Sequence, residues 1–477
     1  PKPSRANYPC MQTAAPLMSA FVMYLLSFTG VWVSLRKLRE AFHNRKMAIG
    51  VFAFAGLCFF GTLMLVENST ELLAQTVLPV REPRMAWGKN NPVGEAKGIY
   101  PGRVVWTHAP GAATWEKGDG FWFEDRWNNQ ADADWLLNQS LLSLTGEKKE
   151  KVAWKSLFLY FNQQHGRGKR GYKKGERIAI KINQNNTFSH EDCEQLNASP
   201  HLTLALLRTL VNDGGVPQEQ ITVFDASRFI TKALYDKCYA EFPGVVYLDN
   251  EGGNGRTQST YTADAIPYSA DNGRLARGLA KCALEADYLI NMALLKVHGG
   301  QGVTLCAKNW YGVTDINKDF RKNQHNNFNQ DRGGKPRYMT FTDYIAHKDL
   351  GQKTMLFLID GLYGSEKVNG VPSGKWKNGD WPCSLLASQD PVAIDAVGID
   401  FLSAEFPRMA DVDYCDMYLV EAALADRPLS ATFYDPERDG TGVGSLGVLE
   451  HWNNPEEKKY SRNMGKDIGI ELIYLHK

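Results

Sequence analysis

The sequence predicts an α/β fold, a mostly parallel sheet with helices on both faces, preceded by an N-terminal transmembrane hairpin of two helices. Three observations predict it. Short apolar runs alternate with amphipathic segments over the last three hundred residues, the pattern of a sheet buried on both sides. Polar residues cluster just after several of those runs. Two stretches near the start, Ala14–Leu35 and Met47–Val66, carry no charged residue, and each is long enough to cross a ~30 Å hydrocarbon core as a helix.

Between these two stretches lies Arg36–Lys46, with five basic residues and one acidic residue. By the positive-inside rule this loop stays in the cytoplasm, which puts everything after Val66 on the periplasmic or extracytoplasmic side of the cytoplasmic (inner) membrane. The expected partners are therefore the lipid bilayer, through residues 1–66, and other membrane protein subunits. A formal net charge of +1 argues against nucleic acid as a partner.

Residues 67–98 read as a stalk, polar at first and then carrying Pro79, Pro83 and Pro92. The domain then occupies residues 99–477. Gly102–His108 reads as its first strand. The segment 103–160 holds Trp115, Trp122, Trp127, Trp135 and Trp154, which suits a cap packed on a core, or more specifically a carbohydrate-binding face. Strands follow at Arg177–Ile182, Ile221–Phe224, Val245–Leu248, Tyr288–Ile290 and Thr354–Ile359. Helices are expected at His201–Asn212 (leucines at 202, 206, 207 and 210, with Gly214-Gly215 as the stop), Ile230–Phe242, Leu275–Glu285 and from Pro391 to Leu402.

In a parallel sheet, ligands sit beyond the carboxyl ends of the strands. The residues expected there are Asn183, Asp225, Asn291 and Asp360. The stretch Asn291–Gly312 adds Lys296, His298, Lys308 and Asn309 among four glycines. Lysine and histidine are costly to bury unpaired, and glycines let a backbone approach a ligand closely. Lys296 and His298 alternate with Leu295 and Val297, so a continuing strand puts both on one face. A lysine beside a histidine suits binding of a phosphate or carboxylate, or covalent holding of a carbonyl compound. Lys296, His298 and Lys308 are thus the candidate catalytic residues. The asparagines and aspartates named above are the candidate ligand-binding set. The alternative is a non-catalytic subunit of a larger membrane assembly with a vestigial cleft.

Other segments carry weaker signals. Asp435–Gly442 has the composition of a cation loop without calcium-loop spacing. Gly442–Gly447 fits GxGxxG but follows no strand. Glu450-His451 is a candidate metal pair, but adjacent strand residues face opposite ways. None of the eight cysteines forms a CxxC, which excludes a ferredoxin-type iron–sulfur module and leaves disulfides and free thiols both open.

Three motifs resemble the DUF362 family, a set named for unknown function. They are Gly175–Asn183, ending in Lys-x-Asn; Asn291–Gly312, with Lys-x-His, Gly-x-Thr and Lys-Asn; and Ser388–Val397, with Asp-Pro-Val-Ala-x-Asp. The likeness spans roughly residues 100–470. Some members of that family carry ferredoxin-type modules, whose cysteines this chain lacks. A second, partial likeness is to nickel-pincer lactate racemases. In these a histidine, glycines, a cofactor-holding lysine and a further histidine follow in order, as His298, Lys308 and His325 do here, and Asp225–Arg228 is similar to their Asp-x-x-Arg element. Their other histidine has no clear counterpart in this chain. This likeness implies His298 and His325 as metal ligands and a metal as cofactor.

Overall fold

The computed structural model describes residues 29, 31–40, 54, 55, 58, 83–265, 268–270, 278–299, 302–314, 335–376, 378–406 and 413–477. The chain divides into two compact units, Pro1–Arg81 and Glu82–Lys477. In the first, residues 31–40 are helical, with Lys37 and Arg36 reaching Glu40 one turn on. Most of both candidate membrane spans lies outside the described residues. Among the described residues no helix is long and apolar enough to cross a membrane.

The second unit contains strands β1 (Val93–Gly94), β2 (Arg103–His108), β3 (Ile178–Lys181), β4 (Ile221–Asp225), β5 (Val246–Asp249), β6 (Thr257–Gln258), β7 (Tyr261–Ala265), β8 (Gly278–Ala280), β9 (Tyr288–His298), β10 (Gly302–Thr304), β11 (Thr354–Ser365), β12 (Ser384–Ser388), β13 (Val448–Leu449) and β14 (Glu471–His476). Its helices are α1 (Gln130–Thr145), α2 (Glu150–Gln164), α3 (Pro200–Asn212), α4 (Lys232–Glu241), α5 (Lys281–Glu285), α6 (Cys306–Asn309), α7 (Thr340–Ala346), α8 (Pro391–Glu405) and α9 (Met417–Ala423).

Ten strands form one sheet, in the order β14-β2-β12-β11-β9-β3-β4-β5-β6, with β10 added to β9. Along that order only the two pairings made by β12 are antiparallel. Central strands are apolar on both faces, because each face has its own core. In β9, Leu289, Ala293, Leu295 and Val297 join one cluster with α7, α8 and α9. Tyr288, Ile290, Met292 and Leu294 join the other with α1, α2, α3 and α4. The mixed α/β sheet covered on both faces is thus as expected.

Local chemistry sets the helix starts. Ser199 Oγ accepts the His201 and Leu202 N–H groups ahead of α3, and Asp390 Oδ1 accepts those of Val392 and Ala393 ahead of α8. In both helices proline takes the first position, where its missing N–H costs nothing.

Several expectations change. β9 and β11 run well past the ends of their apolar stretches, so Asn291 and Asp360 lie inside strands rather than after them. Of the expected helix Leu275–Glu285, residues 275–277 lie outside the described residues, Gly278–Ala280 is a strand paired with β7, and only Lys281–Glu285 is helical; a Cβ at Gly278 would meet Thr262 O at 1.9 Å across that pair. The tryptophan-rich segment contributes β2 to the sheet and contains α1 and the start of α2. Trp115, Trp122 and Trp154 are buried in the core, so these three rings pack rather than display a face. Residues 83–98 are tied to the domain, for example through the Ala86 and Trp87 N–H groups on Asp416 and Lys97 N–H on Asp390.

The secondary signals have structural roles. Asp435 accepts the Asp439 and Gly440 N–H groups and closes its own turn. Gly447 packs against Asp390, where a Cβ would meet Oδ1 at 2.1 Å. Glu450 accepts the Ser461 and Ile470 N–H groups, and His451 is held between Asp400 and Asp416. Cys193, Cys238, Cys282, Cys306 and Cys383 are free thiols, and Cys10 lies outside the described residues.

Candidate functional site

Sheet register brings the predicted residues to one edge. Lys181, the last residue of β3, pairs with Asn291 of β9, which pairs on its other side with Phe357 of β11. Asp225 ends β4 one residue past Phe224, the partner of Lys181. Asn183 and Asp360 therefore lie beyond this level in the same strand direction.

A charged residue in the buried run Ile178-Ala-Ile-Lys181 is the first element of the site. Lys181 Nζ lies 3.2 Å from Asp225 Oδ2 and 3.2 Å from Asn309 Oδ1, and also donates to the Ile182 carbonyl. Burial lowers its ammonium below the ordinary lysine value, against the opposing pull of Asp225. The Asp225 carboxylate is fully engaged. It also accepts Gln184 N–H at 2.8 Å and, on its other oxygen, Ser227 N–H and OH at 3.2 and 3.1 Å.

Asn309 is the hub. Its amide donates to Asn291 Oδ1 at 2.8 Å, while its carbonyl oxygen accepts from Lys181 and, at 3.3 Å, from Asn183. Asn291 in turn donates to Cys306 O at 2.9 Å. These bonds fix α6 against β9. Asp395 completes the mount from α8 by accepting Cys306 N–H at 2.8 Å and Ala307 N–H at 3.0 Å. Burial pushes the Asp395 carboxyl up to about 6.

α6 then presents Lys308, whose ammonium sits 4.3 Å from the Tyr311 ring centroid. Lys308 shares a cleft of about 30 Å³ with Lys181, Arg228, His298 and Asp225. That volume holds a water-sized guest or small ion. Asp225 is the one acidic side chain on its wall among the described residues. Gly312 closes the wall. A Cβ there would meet Asp225 Oδ1 and Lys181 Nζ, each at 2.9 Å. Gly312→Ala is accordingly expected to cost about 1–3 kcal/mol by overpacking. A denaturant midpoint equal to wild type would show that the pair yields freely.

Lys296 is different. It is fully buried, and its Nζ has no hydrogen-bond partner among the described residues. Burial lowers its ammonium to about 7, with Asp225 opposing. Lys296→Met is expected to stabilise the domain by about 1–3 kcal/mol, since it removes an unpaired buried polar group. The gain shrinks as pH rises from about 7 towards 10.5, where folded and unfolded lysine are both neutral. Thermal midpoints of the two proteins across that range check both the sign and the window.

Of the predicted set, Asn183, Asp225, Lys308, Asn309 and His298 line this cleft. Asn291 stands behind it as a support for Asn309. Asp360 does not line it. Its carboxyl, raised to about 6 by burial, holds Ser199 N–H at 2.8 Å and Leu362 N–H at 3.2 Å. His298 sits half-buried at the cleft, its Nδ1 bonded to Gly299 O at 3.0 Å. His325 lies outside the described residues. Among those described, no group of three or more histidine, cysteine or acidic side chains is placed to hold a metal. Lys181, Arg228, Thr304 and Gly312 are cleft residues absent from the predicted set, although each stands in one of the sequence motifs, Lys-x-Asn, Asp-x-x-Arg, Gly-x-Thr and the glycine that closes the Asn291–Gly312 stretch.

No curated protein matches the chain. The family model described as a domain of unknown function, DUF362, matches residues 178–400, the stretch from β3 through most of α8 that builds every wall of the cleft named above. It is narrower than the span over which the sequence motifs resemble the family. The chain carries a DUF362 domain.

Proposed function

We propose that the cleft at the carboxyl edge of the sheet binds a small anion, through a phosphate or carboxylate group. The observation that carries this is the lining of the cleft, where Lys181, Arg228, His298 and Lys308 converge with the side-chain amides of Asn183, Asn185 and Asn309 at the strand ends. Converging cationic and amide donors suit a phosphate or carboxylate, which takes charge-assisted hydrogen bonds from them. Calorimetric titration of the full chain with inorganic phosphate and with pyruvate tests it. Lys308→Ala should weaken binding roughly 10- to 100-fold, the worth of one charge-assisted hydrogen bond, while leaving the thermal midpoint near wild type. If no anion binds and Lys308→Ala melts the domain, the lysine is a structural cation. The non-catalytic subunit is then the better reading.

The domain acts, in this proposal, on the extracytoplasmic side of a membrane. Support comes from the sequence, in the five-to-one basic excess of Arg36–Lys46 between two uncharged stretches. A reporter fused after Lys477 should be active only outside the cytoplasm; activity inside would reverse the topology.

A further inference from the structure

We propose that the chain has a second binding site, a cavity toward the amino end of β11, and that it takes a free, uncharged nitrogen heterocycle such as a nucleobase. This cavity shares no lining residue with the anion cleft, and the proposal is independent of that reading.

Strand direction makes the space. β12 runs antiparallel to β11, so its carboxyl end and the turn into α8 lie beside the start of β11. α2 packs in one core and α8 in the other, so the two helices reach this end from opposite faces of the sheet. A cavity of about 250 Å³ opens here. Its apolar wall is Phe161 from α2, Met355 and Phe357 from β11, Pro391 from α8, and Leu446. All of these are buried.

The polar wall is held in place from behind. Gly98 lets the chain pass close to it: its φ is +111°, and a Cβ there would meet Gln389 Cβ at 3.3 Å. The Gly98 N–H donates to the Tyr160 hydroxyl at 3.0 Å, and the Ile99 N–H to Gln389 Oε1 at 3.0 Å. Gln352 donates its amide to Ile345 O at 2.9 Å. His165, stacked on Phe161 with ring centroids 3.9 Å apart, meets Gln352 O at 2.6 Å and ties the end of α2 to this segment. These bonds fix three side chains of the wall and leave each one group to offer a guest. The groups are the Tyr160 hydroxyl hydrogen, the Gln389 amide nitrogen and the Gln352 carbonyl oxygen. Gln164 adds its amide at the rim.

Charge decides the class of guest. The wall carries no acidic side chain among the described residues, so a cation has no counterion there. Its lysine, Lys97, already faces Glu95 at 3.3 Å, and His165 spends both ring nitrogens on backbone carbonyls. At the start of α8, Asp390 accepts the Val392 and Ala393 N–H groups, so that helix end is already met by a carboxylate. What fits is a neutral guest with a flat apolar body and donors and acceptors along its edge. A glutamine amide sets donor beside acceptor, the pairing that reads an adenine edge, and a base in a pocket is held by such bonds plus apolar packing on its ring. A sugar ring would instead press hydroxyls against Met355 and Phe357, at the cost of their hydration. The cavity falls below the about 300–1,000 Å³ usual for drug-sized ligands, which suits a base rather than a nucleotide.

The full chain is titrated by calorimetry with adenine, hypoxanthine, cytosine and uracil, and with glucose as a ring of hydroxyls. The expected result is one base bound per chain and no glucose. Gln164→Leu and Gln389→Leu should each weaken binding about 3- to 10-fold, the worth of one hydrogen bond. Gln164 is exposed, so Gln164→Leu should keep the wild-type thermal midpoint even if Gln389→Leu loosens the turn at Ile99. Excess phosphate, the probe of the anion cleft, should leave base binding unchanged. The proposal is overturned if none of the four bases binds, if glucose binds as well as they do, or if binding is indifferent to both substitutions. Base binding that phosphate abolishes would move the guest to the anion cleft and overturn it too. If phosphate binds and no base does, this site falls and the anion cleft stands.

Discussion

His451→Ala is expected to destabilise the domain by about 3–5 kcal/mol, because it strands two buried carboxylates. The imidazole lies 2.7 Å from Asp400 and 3.3 Å from Asp416 and is 2% exposed, so water cannot replace it. Burial alone would lower its pKa; Asp400 and then Asp416 raise it to about 10 instead. A folded value above the unfolded one stabilises fully below about pH 6.5 and is lost as pH climbs through 10. The gap between wild type and His451→Ala in urea should therefore have its full width at about pH 6.5 and narrow steadily towards pH 10. A gap that is constant with pH would mean that the ring acts by packing alone.

The second large effect is expected at Asp395. Asp395→Ala removes the acceptor for Cys306 N–H, Ala307 N–H and the Tyr418 hydroxyl, all buried. An unsatisfied buried group costs about 1–3 kcal/mol, so the total is on the order of 3–5 kcal/mol. Because α6 carries Lys308 and Asn309, anion binding should vanish together with the stability. Asp395→Asn keeps one acceptor and should fall between. A destabilised Asp395→Ala protein that binds phosphate like wild type would show that α6 is positioned by the Asn291–Asn309 bonds instead.

These two residues show what the sequence discloses and what it hides. Asp-Pro-Val-Ala-x-Asp was recognisable as a signature. That its first aspartate caps its own helix could be read locally, from the proline that follows. That its second aspartate anchors a helix 89 residues earlier could not, because no periodicity encodes a partner so distant. The same reason separates the strands. β3, β4 and β5 are short apolar runs with clear stops, and their positions were legible. β12 and β14 were not: Ser384–Ser388 is brief, and Glu471–His476 is exposed along one side as an edge strand. In the site, Asn183 and Asp225 followed from the rule that ligands gather at strand ends, and Lys308 from the glycine-rich stretch Asn291–Gly312. Asp360 fits the same rule by position yet spends its carboxyl on the backbone of Ser199 and Leu362. Arg228 and Thr304 stood in sequence motifs, but their place on the cleft wall came only from the structure.

The pairing of β14 with β2 bears on how the chain reaches this state. Arg103 meets Glu471 at 2.7 Å across 368 residues, and the two strands match residue for residue up to His108 and His476. The first and last strands of the large sheet are neighbours. While the chain is being made, one side of β2 has no partner, and an open strand side invites pairing with other chains. Closing so long a loop is slow compared with forming local helices. The growing polypeptide thus carries an open strand flank until translation has passed His476, the stage of synthesis at which this topology is most exposed to pairing with other chains.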